Sequence, residues 1–529
     1  MPLSWLEALK QSNGSPFLAD SLGRYGYLPN PANSNGLPVG FIASGPQGSQ
    51  FAGMTCAACH TRQIAADGKE YRIDGGPAIV DFQTFLTDLD AAVGRVVDDD
   101  QTFQTFARAV FGVADPNPDD VAALRDRVKA WYLRYHTLMM RALPKASWGP
   151  SRLDAVGMIF NRLTGLDLGP PPSHLIPDNI QEADAPARYP FLWNAPKQDK
   201  TQWPGFANNG NDILGLGRNL GEVYGVFGVF EPTKEWFGIN YLSNNSANFD
   251  GLGKLEGLIK QIGPPKWPWL PVDAALAERG KAIYNRPIAQ GGCSACHGIR
   301  EGEVRFFDVH TWATTPLQDV GTDTKEWDIL KWKAQTGVLK NATIPLSLSR
   351  FGETDTAFRL LSASVTGSIV QNSLTLAATA QEMQAETAQQ KQIKLPPALK
   401  DLEGAFHLPG QPSPSSELTA QTPAAVVPVF EARVMEGIWA AAPYLHNGSV
   451  PTLYDLLLPA DQRPKSFKIG PAYDKVKVGL AIEQTKFDYT LNTTDCSDRN
   501  SGNSRCGHEF GTQLPPDEKK ALLEYLKTL

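Results

Sequence analysis

The stretches GMTCAACHTR (residues 53–62) and GGCSACHGIR (residues 291–300) each contain the pattern Cys-x-x-Cys-His. The whole chain has 529 residues, with six cysteines and eight histidines. These two short stretches therefore hold most of the cysteines and a quarter of the histidines, and the chemistry of the chain is best sought there.

Three kinds of site use closely spaced cysteines. Structural zinc pairs usually lie about 15–20 residues apart, and zinc gives no reason for a histidine directly after each pair. A thioredoxin-like redox pair would account for one motif, but not for two with trailing histidines. Covalent haem attachment accounts for every position, because the two thiols bond the haem vinyl groups and the histidine binds the iron. The sequence therefore predicts two haem c groups, one on Cys56, Cys59 and His60 and one on Cys293, Cys296 and His297.

Composition narrows the class of protein and its partners. The hydrophobic fraction of 42% and the charged fraction of 20% are ordinary for a soluble globular protein. The net charge of −7 offers no basic stripe for nucleic acid. No apolar run reaches the length of a membrane span. We expect neither a nucleic-acid partner nor a membrane span.

The compartment follows from the cysteines. The N-terminal stretch MPLSWLEALKQSNGSPF lacks the features of a signal peptide. Covalent haem attachment nevertheless takes place outside the bacterial cytoplasm. Cys496 and Cys506, ten apart in a Ser-, Asn- and Gly-rich stretch, suit a disulfide in an oxidising compartment, with two free thiols in a loop as the alternative. We expect a periplasmic or secreted protein from which a signal peptide has been removed.

The fold class is expected to be mainly α, with two cytochrome c-like haem domains, long loop-rich extensions and few short strands. Apolar residues recur at helical spacing over 78–112, and a further helix is predicted over about 119–143. A helix after Pro271 leads to the second motif, and PPDEKKALLEYLKTL forms the terminal helix. These two helices should cross, with Gly280 letting their backbones approach.

The chain is long enough for two domains. Glycine and proline cluster near 250–272 and predict the boundary. We expect an N-terminal haem domain over 1–260, including a wrapping N-terminal segment. A C-terminal cytochrome c domain follows over 261–529, with a polar excursion at 375–425.

The remaining histidines decide how each iron is ligated. An iron with protein ligands on both faces transfers electrons, whereas one with an open face binds O₂ or peroxide. His508 lies beside the proposed disulfide, which suits a second ligand to the C-terminal iron; a surface histidine is the alternative. His446 could ligate iron, but a bond to a haem propionate or to the backbone is favoured. The other four are more typical of core or surface positions, which leaves His60 alone on the first haem: His136, His174, His310 and His407.

The stretch WAAAPYLHNGSVPTLYDLL (439–457), with the two motifs, resembles the bacterial diheme cytochrome c peroxidase superfamily. The stretches YGYLPNP, LPVGF, LGEVYGVFG and CGHEFGT are similar to the diheme rubber oxygenases and their relatives. The peroxidases carry a methionine ligand where this chain has Ala460, fourteen positions after His446. This departure favours His508, where the rubber oxygenases are expected to carry a histidine ligand. The distal histidine of the peroxidases corresponds to Gly76, which implies an open N-terminal haem.

The resemblance implies roles for further residues. Glu222 would be an acid that assists O–O cleavage, Phe227 an apolar wall beside the open face, and Trp203 an indole between the haems. Core packing is the alternative for each, or a charge on the helix surface for Glu222. The resemblance also implies a calcium ion held partly by the backbone carbonyls of Ala441 and Pro443.

Three functions are consistent with these features. The first is a haem-dependent oxidoreductase that activates H₂O₂ or O₂ at the N-terminal haem, while the C-terminal haem relays electrons from a small electron-donor protein. The second is a dioxygenase that cleaves a hydrophobic isoprenoid substrate. The third is a plain electron-transfer diheme cytochrome. An acid near the first iron would favour a peroxidase, an apolar pocket free of acids the dioxygenase, and two six-coordinate irons the electron carrier.

Overall fold

The computed structural model describes residues 1–33, 35–236, 238–269, 271–305, 308–313, 318–384 and 427–529, with residues 399, 402 and 405. Within these ranges the α-helices are α1 (Leu3–Ala8), α2 (Phe82–Asp98), α3 (Asp100–Phe111), α4 (Pro118–Ala142), α5 (Ala155–Asn161), α6 (Asp212–Gly225), α7 (Phe249–Ile259), α8 (Ala274–Tyr284), α9 (Ser294–His297), α10 (Lys325–Asp328), α11 (Ala357–Gln384), α12 (Leu453–Leu456) and α13 (Pro516–Leu526).

The helical run predicted over 78–112 forms two helices, α2 and α3. The chain divides at Asp99, which is extended and whose carboxylate accepts a hydrogen bond from the Thr102 backbone N–H at 2.7 Å. This N-cap starts a new helix and ends the previous one. The helix predicted over 119–143 is α4, which begins after the capping residue Asn117.

The strands are two to six residues long and pair two by two, each pair antiparallel. The pairs are β1 (Phe41–Ser44) with β2 (Phe51–Met54), β3 (Thr61–Ala66) with β4 (Lys69–Asp74), β5 (Arg152–Leu153) with β6 (Ala187–Arg188), β7 (Lys200–Thr201) with β8 (Ala207–Asn208), β9 (Thr233–Glu235) with β10 (Gly238–Asn240), β11 (Glu301–Arg305) with β12 (Val309–Trp312), β13 (Lys333–Gln335) with β14 (Thr354–Thr356), β15 (Ser466–Lys468) with β18 (Thr490–Asn492), and β16 (Tyr473–Asp474) with β17 (Gly479–Leu480).

The hairpin β3–β4 fixes the backbone directly after the first motif. Its turn is Asp67-Gly68, and both residues have positive φ, 53° and 70°, as a two-residue hairpin turn requires. At the open end of the hairpin the Gly75 N–H donates to the His60 carbonyl at 2.9 Å. The first motif is thereby tied to a rigid ladder rather than to a free loop.

Buried apolar side chains form three cores within the described residues. The first core packs the N-terminal segment against α2, α3 and α4. The second and third cores each contain residues from both sides of residue 260; Ile64 and Phe191, for example, share the third core with Trp439 and Leu522. The predicted domains 1–260 and 261–529 thus share buried surface, and the division itself stays a prediction. Most of the excursion predicted at 375–425 lies outside the described residues.

The helices α8 and α13 cross as the sequence predicts. A Cβ placed on Gly280 would lie 2.0 Å from the Ala521 carbonyl oxygen and 2.8 Å from Tyr525 Cβ. Ion pairs join the two segments at the surface, Arg279 with Asp517 and Arg286 with Glu518. The close backbone approach depends on the missing side chain at Gly280.

We therefore expect Gly280→Ala to destabilise the fold by about 1–3 kcal/mol, because the added methyl group overlaps a backbone atom that cannot move freely. The matched control is Gly253→Ala on α7, where an added Cβ meets nothing within 4 Å. That substitution should stabilise by up to about 1 kcal/mol, as alanine is the better helix former. Thermal unfolding of the two variants checks the opposite signs; equal effects would contradict the close helix crossing.

The structure joins Cys496 and Cys506, the pair predicted from the sequence, in a disulfide with Cα atoms 5.1 Å apart. None of the four motif cysteines takes part in a disulfide bond. None of the helices in the described ranges has the length and apolar character needed to cross a membrane.

Candidate functional site

The second motif opens onto a cavity that, together with the open solvent at its entrance, has a volume of about 1280 Å³. Its walls include Cys293, Cys296 and His297 from the motif and His508 from the C-terminal segment. Burial, with the nearby Cys296, raises the pKa of the Cys293 thiol to about 11. The four side chains predicted to hold the C-terminal haem therefore line one shared cavity.

The imidazoles of His297 and His508 face each other across this cavity. Their ring centroids are 6.0 Å apart. An iron bound by two imidazole nitrogens at about 2 Å each places the ring centres about 6 Å apart. The His297 Nδ1 donates to the Arg433 carbonyl at 2.7 Å, which leaves its Nε2 for the metal. The geometry fits a haem iron with histidine on both faces.

The loop that carries His508 is held from several sides. Its N–H donates to the Val320 carbonyl at 2.8 Å, and its φ of 49° lies in the left-handed region. The buried Arg463 guanidinium donates to the His508 carbonyl at 3.2 Å and to the Gly507 carbonyl at 2.7 Å. Burial, with the charges of His297 and Arg463, lowers the pKa of His508 to about 3, so the imidazole is neutral, as a metal ligand must be.

The first motif has a different environment. The His60 Nδ1 donates to the Pro190 carbonyl at 2.8 Å, in the same manner as His297, and burial lowers its pKa to about 4. No histidine of the described residues faces it. His136, His174 and His310 lie beside Asp90, Glu231 and Asp308 respectively, and His446 and His508 belong to the other cavity.

The zinc alternative requires the cysteines to converge. Within the described ranges no three His, Cys, Asp or Glu side chains lie close enough to hold a bare metal ion. The two motifs instead form separate sites, each with its own histidine bonded to a backbone carbonyl. The two haem attachment sites stay a prediction.

Helix α6 brings Glu222 to the first motif. Burial, with the charge of Glu222, raises the pKa of Cys59 to about 12, which indicates that the carboxylate lies near the thiol. The Gln202 Nε2 donates to Glu222 Oε1 at 2.9 Å. Burial raises the pKa of Glu222, while Gln202 and Arg218 lower it. The acid predicted beside the first haem is therefore near that site.

Arg218 lies one helical turn before Glu222. It is not among the site residues predicted from the sequence. Residues four apart on a helix share a face. The Arg218 guanidinium pairs with the buried Glu256 and donates to Asn209 Oδ1 at 2.6 Å. Its charge contributes to lowering the pKa of His60, after burial and the charge of Arg433. The spacing from Glu222 was the signal that could have identified Arg218.

The other two predicted catalytic residues, Phe227 and Trp203, have surroundings that differ from those of Glu222. Phe227 ends the turn after α6, and its ring lies 5.5 Å from the Tyr135 ring and 5.4 Å from the Arg162 guanidinium carbon. These contacts describe core packing, and its role as a wall of the open face stays a prediction. Trp203 lines the cavity of the second motif, and its Nε1 donates to the Arg188 carbonyl at 3.0 Å.

His446 lines the same cavity but does not face His297. Its ring stacks on Phe430 with centroids 3.9 Å apart, and its carbonyl accepts from the Arg188 N–H at 2.8 Å. Burial, with the Arg188 charge, lowers the pKa of the ring to about 3. His508, not His446, occupies the position opposite the motif histidine.

The calcium site remains a prediction. The carbonyl of Ala442, between Ala441 and Pro443, accepts a hydrogen bond from the buried guanidinium of Arg62. A buried cation next to the two proposed carbonyls disfavours a second cation at the same place.

Comparison with known proteins gives the family. A family model described as RoxA-like, cytochrome c-like matches residues 429–468. The protein y4iJ of Sinorhizobium fredii (strain NBRC 101917 / NGR234) is 30% identical over 594 residues, covering 100% of this chain and 89% of y4iJ. The chain belongs to the RoxA-like cytochrome c family. A second protein of that strain, y4iM, is 26% identical over 415 residues, covering 75% of each chain.

For a RoxA-like cytochrome c, haem c is the expected cofactor, and a haem-dependent oxidoreductase is the class of activity. The matched segment contains Phe430, Glu431, Arg433 and His446, all of which line the cavity of the second motif. Both relatives are named as uncharacterized proteins, so they add no substrate.

Proposed function

We propose that this chain is a periplasmic or secreted diheme oxidoreductase of the cytochrome c peroxidase type. It activates H₂O₂ or O₂ at a haem held by Cys56, Cys59 and His60, while a second haem, held by Cys293, Cys296, His297 and His508, relays electrons. The observation that supports this proposal is the difference between the surroundings of the two motif histidines. His508 faces His297 with ring centroids 6.0 Å apart, whereas no described histidine faces His60.

When bound, the haems supply the redox chemistry; the chain's own residues position them and manage protons. The carbonyls of Pro190 and Arg433 orient the two proximal imidazoles through Nδ1. Glu222 holds a proton to higher pH than an ordinary carboxylic acid, because burial raises its pKa. Gln202 fixes one oxygen of that carboxylate, and Arg218 places a positive charge on the same helix face.

Peroxide is the oxidant that these residues favour. An acid near the first motif can transfer a proton to a leaving oxygen, and a neighbouring guanidinium stabilises developing negative charge. An oxygenase acting on an isoprenoid chain requires an apolar pocket over the first haem. The surroundings of Cys56, Cys59 and His60 are polar instead, since they include Glu222 and the ion pair of Arg218 with Glu256.

A rubber-oxygenase-like dioxygenase that cleaves a hydrophobic isoprenoid substrate is the second candidate. The observation that favours it is the match of residues 429–468 to the RoxA-like family model. That match covers the surroundings of the second motif and not those of the first, where the substrate would bind. A plain electron-transfer cytochrome is the third candidate, and it would require a second ligand opposite His60.

Spectroscopy of the purified holoprotein separates the three candidates. We expect stoichiometric H₂O₂ to change the absorption and EPR signals of one haem of two, while the low-spin signal of the other persists, because only one iron has an open face. A reduced protein whose spectrum changes with O₂ but not with peroxide would favour the dioxygenase. A protein whose two haems respond to neither oxidant would be an electron carrier.

A further inference from the structure

Arg433 connects the hydrogen-bond partners of both proximal histidines. Its carbonyl accepts from His297 Nδ1 at 2.7 Å. Its Nη1 donates to the Phe191 carbonyl at 2.8 Å. Phe191 follows Pro190, whose carbonyl accepts from His60 Nδ1 at 2.8 Å. One residue therefore joins the two sites, through its backbone on one side and its side chain on the other.

The charges in this connection are buried. The Arg433 side chain is 7% exposed, and its partner Glu431 is 0% exposed, with Nε and Oε1 2.5 Å apart. The guanidinium carbon lies 5.1 Å from the Phe191 ring and 5.3 Å from the Trp203 ring, and the Glu431 N–H donates to the Trp203 carbonyl at 2.8 Å. Away from water, such charges act over longer distances than they do at the surface.

The Arg433 side chain reaches toward the first site although its backbone belongs to the second, because its guanidinium binds the residue next to Pro190, the acceptor of His60. On the other side of the pair, Glu431 Oε2 is buried and has no hydrogen-bond partner among the described residues. One oxygen of the buried Glu431 carboxylate is thus left without a donor, beside the guanidinium that links the two acceptor segments.

We propose that the Arg433–Glu431 pair is a positioning and tuning device that sets the reduction potentials of both haem sites together. A cation near an iron disfavours the ferric state and raises the potential, and an anion lowers it. Because the pair lies between the two proximal histidines, a change in its charge acts on both sites. This inference rests on the two-haem part of the proposed function and not on the choice between peroxide and O₂.

The test is a spectroelectrochemical titration of the holoprotein. The midpoint reduction potentials of the two haems, called the midpoints below, are followed separately by their absorption and EPR signals. Arg433→Met, which removes the cation, should lower both midpoints. Glu431→Gln, which removes the anion and keeps the shape, should raise both. Arg433→Lys keeps the charge and should leave both nearer to wild type. Arg152→Met is the control, since Arg152 is equally buried but contacts neither proximal histidine nor its acceptor.

The proposal is supported if Arg433→Met lowers the reduction potentials of both haems and Glu431→Gln raises both. It is overturned if Arg433→Met moves only the C-terminal midpoint, which would be a local effect on His297, or if the two charge variants shift the midpoints in the same direction, as loosened packing would. Haem content, measured first, separates this result from the proposed function: one haem per chain would contradict the two-haem assignment itself.

Discussion

Replacing His508 by glycine should convert one of the two haems from low spin to high spin. The His508 ring is the group opposite His297, with centroids 6.0 Å apart, and its removal opens one face of the C-terminal iron. Nearly all of the low-spin signal in the EPR and absorption spectra should then be lost, because the proposal gives the N-terminal haem an open face. Added imidazole should restore it, because the vacated space has the size of the missing ring.

Two further measurements make this result specific. His136→Ala, at a histidine that bonds to Asp90 and is not proposed to bind iron, should leave the spectrum unchanged. The glycine variant should also gain a second peroxide-responsive haem, since it creates a second open face. An unchanged low-spin signal in His508→Gly would contradict the ligand assignment and make His446 the residue to substitute next.

Replacing Glu222 by glutamine should lower the turnover of peroxide by about 10²–10⁴-fold, which is the usual contribution of one positioned acid or base. Glutamine keeps the length of the side chain and a hydrogen bond to Gln202, so haem content and KM should stay close to wild type. The loss should lie in kcat, because the proton is needed at the chemical step.

The dependence of peroxide turnover on pH tests whether Glu222 acts as an acid. Burial raises the pKa of Glu222, so the protonated form persists to higher pH than in an ordinary glutamic acid. As a general acid it acts below that pKa, and turnover should fall as the pH rises through it. Glu222→Gln should lack this limb of the profile. Asp212→Asn, at the exposed start of the same helix, is the control and should retain it. Full activity in Glu222→Gln would exclude the acid role.

Much of this architecture could be predicted because it depends on residues that are close together in the sequence. The Cys-x-x-Cys-His motifs, the helical periodicity before Gly280 and the terminal leucines each lie within a short stretch, and each appears in the structure. His508 could be singled out since Cys506 lies next to it. Local spacing is enough wherever a feature depends on neighbours in the chain.

The rest depends on contacts between distant parts of the chain. Nothing in the sequence near Arg433 shows that its carbonyl meets His297 or that its guanidinium meets Phe191. Phe227 could be selected from its stretch, but the fold turns its ring to Tyr135. The split of the run 78–112 at Asp99 could have been found, because an aspartate three residues before a threonine N–H is a capping signal.

The third core has a consequence for how the protein is made. Residues that follow the first motif, such as Ile64, are buried with Leu522 of the last helix. The N-terminal part of the chain is synthesised first, so this core stays incomplete until the final residues arrive. Any group bonded to Cys56 and Cys59 before then would be attached to a chain whose third core is still open, and the last helix would close that core afterwards.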